Sequence, residues 1–404
     1  MFLKLATATI FLLTYAGVAI GRFPGLRIDR AGIALTGAAF TIAVGAVSPE
    51  EAYRAIDLDT LALLLGMMIV VGHLRLSGFF RLGARWALEH AHSQPVFLIA
   101  VALTSGVLSA FLVNDAVCLV MAPLVVETTR ALKRDPVPYL LAVAMASNIG
   151  SAATITGNPQ NMIIGAVSHI PYIAFAGALA PTAALGVVLV VVLVAAFSPR
   201  EFLPIAPLGV SGAKARVNKP QMIKATAVTL GVVALFFAGA PVGEAAMLGG
   251  ALLLVTRSIK AQKVYREIDG SLLLLFAGLF VVVAGAEKVL LSSDVLDVAR
   301  SAHLDNVWAL TAVTAALSNV ISNVPAVLAI KPFVQGLGDP QKTWLVIAMS
   351  STFAGNLTLV GSVANLIVAE KALQQGVEIS FWRYARVGVP VTVVTLALGA
   401  WWLS

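Results

Sequence analysis

The 404-residue sequence predicts an all-α polytopic membrane protein built from two inverted-topology repeats, each with about five membrane crossings, one re-entrant helical hairpin and one broken helix. Three observations predict it. Only 12% of residues are charged, 59% are hydrophobic and the mean hydropathy is +0.93, whereas a soluble domain carries about 25% charge. Apolar stretches close to the roughly 20 residues that cross a hydrocarbon core recur from the first residues to the last. The second half of the chain also repeats the pattern of the first.

In order, the opening "LKLATATIFLLTYAGVAI" runs into "GRFPGLR" without a small-x-small cleavage site, so it reads as a first membrane helix rather than a leader. Apolar runs bounded by Pro, Gly and charge place spans near 4–20, 31–47 and 60–77, a pair at 95–112 and 116–131, a broken span at 137–168, and one at 172–197. A second set follows near 221–238, 243–258 and 271–291, a pair at 306–321 and 325–337, a broken span at 343–370, and one at 383–403. These define a first repeat (1–197), a basic, Pro-containing linker (198–220) and a second repeat (221–404). The single cysteine, Cys118, excludes an internal disulfide.

"SNIGSAATITGNPQNMII" (147–164) lies over "STFAGNLTLVGSVANLIV" (351–368), with Ser147/Ser351, Thr154/Thr358, Gly157/Gly361, Asn161/Asn365 and Ile163/Ile367 identical. "VNDAVCLVMAP" (113–123) likewise matches "SNVPAVLAIKP" (322–332), and "IDLDTLALLLGMM" (56–68) matches "IDGSLLLLFAGLF" (268–280). Five crossings plus one helical pair leave an odd number per half, so the copies run in opposite senses. Of the 27 Lys and Arg residues, all but Lys4, Arg54, Lys288, Arg300, Lys331 and Lys342 fall on one face. The positive-inside rule then puts the linker in the cytoplasm and both termini on the non-cytoplasmic side of a plasma (inner) membrane. The net charge of +7 thus orients the chain, and no nucleic acid partner is expected.

Both broken spans carry Asn, Gly and Thr where lipid-facing helices carry Leu, Ile and Val. An unpaired N–H or C=O in hydrocarbon costs several kcal/mol, so such backbone survives only when buried in protein or lining a wet cavity. Paired breaks in inverted repeats point to a binding site near the midplane. The candidate ligands are Asn148, Gly150, Ser151, Thr154, Gly157, Asn158 and Asn161, with Gly355, Asn356, Thr358, Gly361, Ser362 and Asn365; polar helix packing by small residues is the alternative. Asn114 and Asp115 form one hairpin tip, Ser322 and Asn323 the other. An ionisable group at membrane depth is a functional hypothesis by default, which makes Asp115 the proton-carrier candidate, with an N-cap of the following limb as its alternative role. Glu287 and Lys288 read as interfacial, Lys331 as snorkelling, and Glu127, His73 and Glu370 as helix-end residues.

The two tips, the breaks "GNPQN" and "GNLTLVGSVAN", and the inverted halves resemble the ion transporter superfamily: arsenite and antimonite permeases, sodium/proton antiporters and divalent anion/sodium symporters. The resemblance implies a homodimer, each protomer with a scaffold and a transport part. In the dicarboxylate branch both tips typically read Ser-Asn-Thr; here they read Val113-Asn114-Asp115 and Ser322-Asn323-Val324, more similar to the arsenite permease branch. The resemblance implies secondary-active export of a small inorganic solute, arsenite or antimonite, across the lipid bilayer. No cofactor or metal is expected. Protons are the coupling ion, sodium the alternative. Sodium-coupled uptake of a divalent anion (dicarboxylate, phosphate or sulfate) and a passive anion channel are the competing readings. HExxH, GxSxG and Walker signatures are absent, which argues against an enzyme; energy then comes from an ion gradient or an external cytoplasmic ATPase subunit.

Overall fold

A computed structural model describes residues 2–21, 27–82, 93–203, 218–255, 259–290 and 303–404. The centre of the linker (204–217) and several basic loop residues used for orientation (Arg22, Arg85, Lys214, Arg216, Arg257 and Arg300) lie outside the described residues.

The first half comprises α1 (Phe2–Ile20), α2 (Arg30–Ala43), short α3 (Pro49–Ala55), α4 (Leu58–Ser77), the pair α5 (Gln94–Phe111) and α6 (Asn114–Ala131), the broken pair α7 (Pro136–Ser151) and α8 (Pro159–Ser168), and α9 (Tyr172–Phe197). One turn, α10 (Pro199–Phe202), follows. The second half comprises α11 (Lys219–Phe237), α12 (Val242–Leu254), short α13 (Ala261–Tyr265), α14 (Gly270–Leu290), the pair α15 (Val307–Ile321) and α16 (Asn323–Ile330), the broken pair α17 (Pro340–Ala354) and α18 (Val363–Gln374), and α19 (Phe381–Trp402). Among the described residues seven helices are long and apolar enough to cross a membrane.

Helix starts are written locally. Ser48 and Glu51 form a capping box with Pro49 in the first turn, and the side chains of Asp29, Asp57, Asp135, Asp339 and Ser380 each accept from a backbone amide of the helix that follows. Two limbs are shorter than the apolar runs suggest. Gly45, with φ +75°, follows the end of α2, and α16 tightens into a 3-10 turn (Lys331–Gly336) because Pro332 has no N–H to continue an α-helix. The short surface helices α3 and α13 are too polar for a search for apolar spans to find.

The duplication is visible in the packing. A Cβ on Gly66 would lie 2.4 Å from the backbone of Ala246, and one on the equivalent Gly278 would lie 2.6 Å from the backbone of Ala34. Thus α4 packs on α12 as α14 packs on α2. Gly278 faces Ala34 and, two turns on, Gly285 faces Thr41, so α14 runs parallel to α2. Lys288 at the end of α14 pairs with Glu51 of α3 at 2.7 Å, immediately before α4 begins. Hence α4 starts where α14 ends. The two copies of this helix run in opposite directions, as inversion requires. The Glu51 carboxyl is pulled down to about 2, first by its hydrogen bond with Lys288 and then by the Ser48 amide. Being depressed, it contributes stability that is present above the ordinary carboxylate range and lost as pH falls through about 2.

The glycine contacts yield a prediction. Gly278→Val should lower the melting temperature of the purified protein by an amount corresponding to at least 1–3 kcal/mol, roughly the overpacking cost. Gly177→Val, where a Cβ meets nothing within 4 Å, should leave it unchanged; differential scanning fluorimetry checks both.

Candidate functional site

The α7–α8 break opens when the chain leaves helix at Ser151, passes through extended Thr154 (φ −141°, ψ 166°) and a single 3-10 turn (Ile155–Gly157), and restarts at Pro159 behind Asn158. The α17–α18 break ends at Ala354, with Gly355 as its C-cap, and restarts behind Ser362. In both, the freed carbonyls are claimed by an asparagine from the following helix. Asn161 Nδ2 donates to the carbonyls of Ser151 (3.3 Å), Ala152 (3.4 Å) and Thr154 (3.0 Å). Asn365 Nδ2 donates to those of Gly355 (2.8 Å) and Thr358 (3.1 Å). Ser151/Gly355 and Thr154/Thr358 are equivalent positions of the repeat, so the two copies solve the problem alike. Gly157 is required for closure, because a Cβ there would lie 2.1 Å from the Ser151 carbonyl.

Asn148 joins the halves. Its Nδ2 donates to Asn356 Oδ1 and Asn365 Oδ1, both at 2.9 Å, and its Oδ1 accepts from Asn114 Nδ2 (3.0 Å) and Ser362 Oγ (3.1 Å). All four hydrogen-bonding positions of the amide are filled. Three of the four partners come from the second half. Asn356 Nδ2 returns a bond to the Met145 carbonyl at 3.2 Å. The symmetry mate of the Ser362–Asn148 contact is present as well: Asn158 Nδ2 donates to Thr352 Oγ1 at 3.2 Å. Ser147 ties the first tip down by donating to the Asn114 carbonyl (3.2 Å) while it bonds Ser109 (2.8 Å).

A cavity of about 380 Å³ lies beside this network. Of the residues proposed from sequence, Asn114, Asp115, Ser322, Asn323 and Ser362 line it. Asn148, Asn356 and Asn365 lie behind that wall in the amide network. Ser151, Thr154, Gly157, Asn158, Asn161, Gly355, Thr358 and Gly361 build the two breaks, with Thr154 Oγ1 bonded to the Ala110 carbonyl. Gly150 meets the backbone of Gly106 on α5. Asp115 is not the cap of α6: that position is Val113, and Asp115 stands in the first helical turn. Among the described residues none donates a hydrogen bond to its carboxylate.

Sequence reading passed over Gln160, Asp29, Arg30, Asp269 and Ser271, which also line the cavity. Asp29 and Asp269 sit in "IDRAG" and "IDGS", which look like ordinary loop ends. Each accepts from the backbone amide three residues on, Gly32 and Leu272. Most lining residues come from the starts of six helices, α2, α6, α8, α14, α16 and α18, with Val18 and Gly21 from the end of α1. Each helix N-terminus carries roughly half a positive charge, about three in all; with Arg30 they face the three carboxylates of Asp29, Asp115 and Asp269 and the C-terminal end of α1. Both tips also leave an amide oxygen without a partner: Asn114 Oδ1 and Asn323 Oδ1 are buried and unbonded. The second tip is strained, since Ser322 has φ 75° and ψ 158°, a region otherwise reserved for glycine.

Two oppositely directed copies of one helical unit, with breaks and hairpin tips meeting at an internal cavity, define a multi-pass membrane transporter. The chain matches the citrate transporter (CitMHS) family model over residues 15–354 and belongs to that family. It is 31% identical over 430 residues to uncharacterized transporter Rv2684 of Mycobacterium tuberculosis, covering 99% of this chain and 98% of the relative. It is 29% identical over 448 residues to silicon efflux transporter LSI3 of Oryza sativa subsp. japonica (93% and 92% covered) and 25% identical over 494 residues to putative transporter arsB of Dictyostelium discoideum (93% and 87%). The crystal structure of the Alcanivorax borkumensis YdaH transporter is similar in fold, with a TM-score of 0.63 at 14% identity over 99% of this chain and 97% of that one.

The tip geometry makes a stability prediction. Ser322→Gly should raise the melting temperature by the equivalent of about 1 kcal/mol or more through relief of backbone strain, and Ser322→Val should lower it. Asn148→Ala, which leaves four buried partners short of a bond, should cost roughly 3 kcal/mol or more. Thermal melting of the three purified variants against the parent checks each sign.

Proposed function

We propose that the protein is a secondary-active transporter that exports an uncharged, polyhydroxylated metalloid, arsenous or antimonous acid, in exchange for protons. One observation carries this reading: acceptors of both hairpin tips stand without a donor. Asn114 Oδ1 and Asn323 Oδ1 have no partner and Asp115 accepts no hydrogen bond among the described residues. A solute that brings O–H groups would supply the missing donors. Arsenous acid, neutral near physiological pH, brings three. Six helix N-termini and Arg30 against three carboxylates and the C-terminal end of α1 leave only a small net charge, which favours an uncharged guest over a polyanion. The relatives named for silicon efflux and for arsB support the same chemistry, because silicic acid is also a small neutral hydroxide.

In this mechanism the solute sits between the two tips, hydrogen-bonded to Asn114, Asn323 and Ser362. Asp115 holds the counter-transported proton. The mouth of the cavity is formed by the starts of α2 and α14, which carry Asp29, Arg30 and Asp269. The distribution of Lys and Arg supports a cytoplasmic position for that end, with both termini on the other side of the plasma membrane, which would make this conformation inward-facing. Movement of the tips and breaks against α2, α4, α12 and α14 would carry the site across, with a homodimer as the assembly.

A second reading has its own observation. Six helix N-termini also suit an anion once Asp115 is protonated, and unpaired amide oxygens suit a sodium ion. Sodium-coupled uptake of a di- or tricarboxylate such as citrate is therefore the runner-up, in keeping with the family description.

Expression in an arsenite-sensitive bacterium should restore growth on arsenite, and Asp115→Asn should abolish gradient-driven export with the protein still in the membrane. Unchanged sensitivity, or sodium-dependent uptake of labelled citrate into proteoliposomes, would favour the runner-up. Full coupled export by Asp115→Asn would remove Asp115 from the proton path.

A further inference from the structure

Away from the transport cavity, a second one of about 540 Å³ lies where the start of α7, the end of α9 with α10, and the start of α19 come together. Three guanidiniums, Arg200, Arg383 and Arg386, and two carboxylates, Asp135 and Glu201, share its wall with the ring of Phe197. The two carboxylates are already committed. Asp135 pairs with Arg383 while capping α7, and Glu201 accepts from Tyr139 Oη at 2.9 Å. Arg386 stacks over Phe197, its guanidinium carbon 5.8 Å from the ring centre. Among the described residues neither Arg200 nor Arg386 has a carboxylate partner. Three guanidiniums against two carboxylates leave the cavity with a net positive charge, and the Arg200 and Arg386 guanidiniums without an ion-pair partner there.

We infer that this cavity binds a phosphate group, held by Arg200 and Arg386, and that the phosphate belongs to the headgroup of a membrane phospholipid. The chemistry follows from the donors, because a guanidinium offers paired N–H groups that match two phosphate oxygens. Position supplies the source. The cavity sits at the common end of three membrane helices, and the residues beside it are apolar and outward-facing: Trp382 is 79% exposed and Leu203 66% exposed. Exposed tryptophan is a marker of the headgroup level, and basic pockets between helices at that level take anionic lipid headgroups. A soluble phosphate would leave those apolar side chains unexplained, whereas the acyl chains of a lipid would cover them. Arg383, fixed by Asp135, forms the rim. The occupied site would brace the start of α7, the helix whose other end carries Asn148.

Native mass spectrometry of the full-length protein in detergent, titrated with phosphatidylglycerol and separately with diacylglycerol of the same chains, tests this. Retained phosphatidylglycerol with little diacylglycerol is expected for the parent. Arg200→Gln/Arg386→Gln should retain about tenfold less phosphatidylglycerol, and the exposed single variant Arg200→Gln should fall between them. The single variant keeps the test decisive if the double variant does not fold. Equal retention of phosphatidylglycerol by parent and Arg200→Gln would overturn the site. Displacement of the lipid by equimolar inorganic phosphate would overturn the lipid source and identify a soluble phosphate ligand instead.

Discussion

In hydrocarbon a backbone group without a partner costs several kcal/mol, and this chain interrupts two helices at membrane depth. Everything near the site follows from how those carbonyls and amides are satisfied. Asn161 and Asn365 reach back from the restarted helices to the carbonyls that the first helices leave open. Asn158 and Ser362 cap the restarts, accepting from the amides of Asn161 and Ala364. The remaining amide capacity is gathered by Asn148, whose four bonds run to Asn114, Asn356, Ser362 and Asn365. Because three of those bonds cross from one copy of the repeat to the other, satisfying the backbone also fixes the two breaks against each other.

That arrangement explains why six helices begin at one cavity. A break creates a new N-terminus, a hairpin creates another, and duplication doubles both. The starts of α2 and α14 complete the set and bring Asp29 and Asp269 as caps. Their electrostatics are a compensated design. Helix ends lend positive potential, capping aspartates offset it, and Asp115 in the first turn of α6 is left as the carboxylate that no hydrogen bond from a described residue occupies. The first-half equivalent of Asp269, Asp57, lies instead against a separate surface depression with Asp59 and His169. The cavity is therefore one-sided, although the backbone that builds it is nearly symmetric.

Much of this was legible in the chain. Asn, Gly and Pro within apolar runs marked both breaks, and the identities from Ser147/Ser351 to Asn161/Asn365 paired them correctly. The roles were harder to read. Asn161 and Asn148 look alike in sequence, yet one serves its own helix and the other bridges the halves, a difference set by three-dimensional reach rather than by spacing. Gly150 resembled a place where backbone could approach a ligand; it allows α7 to pack on α5 at Gly106. Asp29, Asp269 and Gln160 were missed because a polar residue at the start of an apolar run looks like a cap. The two aspartates are caps that also line the cavity. Ser322 was marked as a tip residue but its strain gave no signal, since strain at a non-glycine residue is imposed by the surrounding fold.

In the proposed mechanism the solute binds between the two hairpin tips, against the wall that Asn148 supports. Crystals of the protein soaked in arsenite and measured at the arsenic absorption edge test it directly. An anomalous peak is expected inside the cavity, within hydrogen-bonding reach of Asn114, Asn323 and Ser362. A strongest arsenic peak outside that cavity, or no peak on the protein at all, would contradict it.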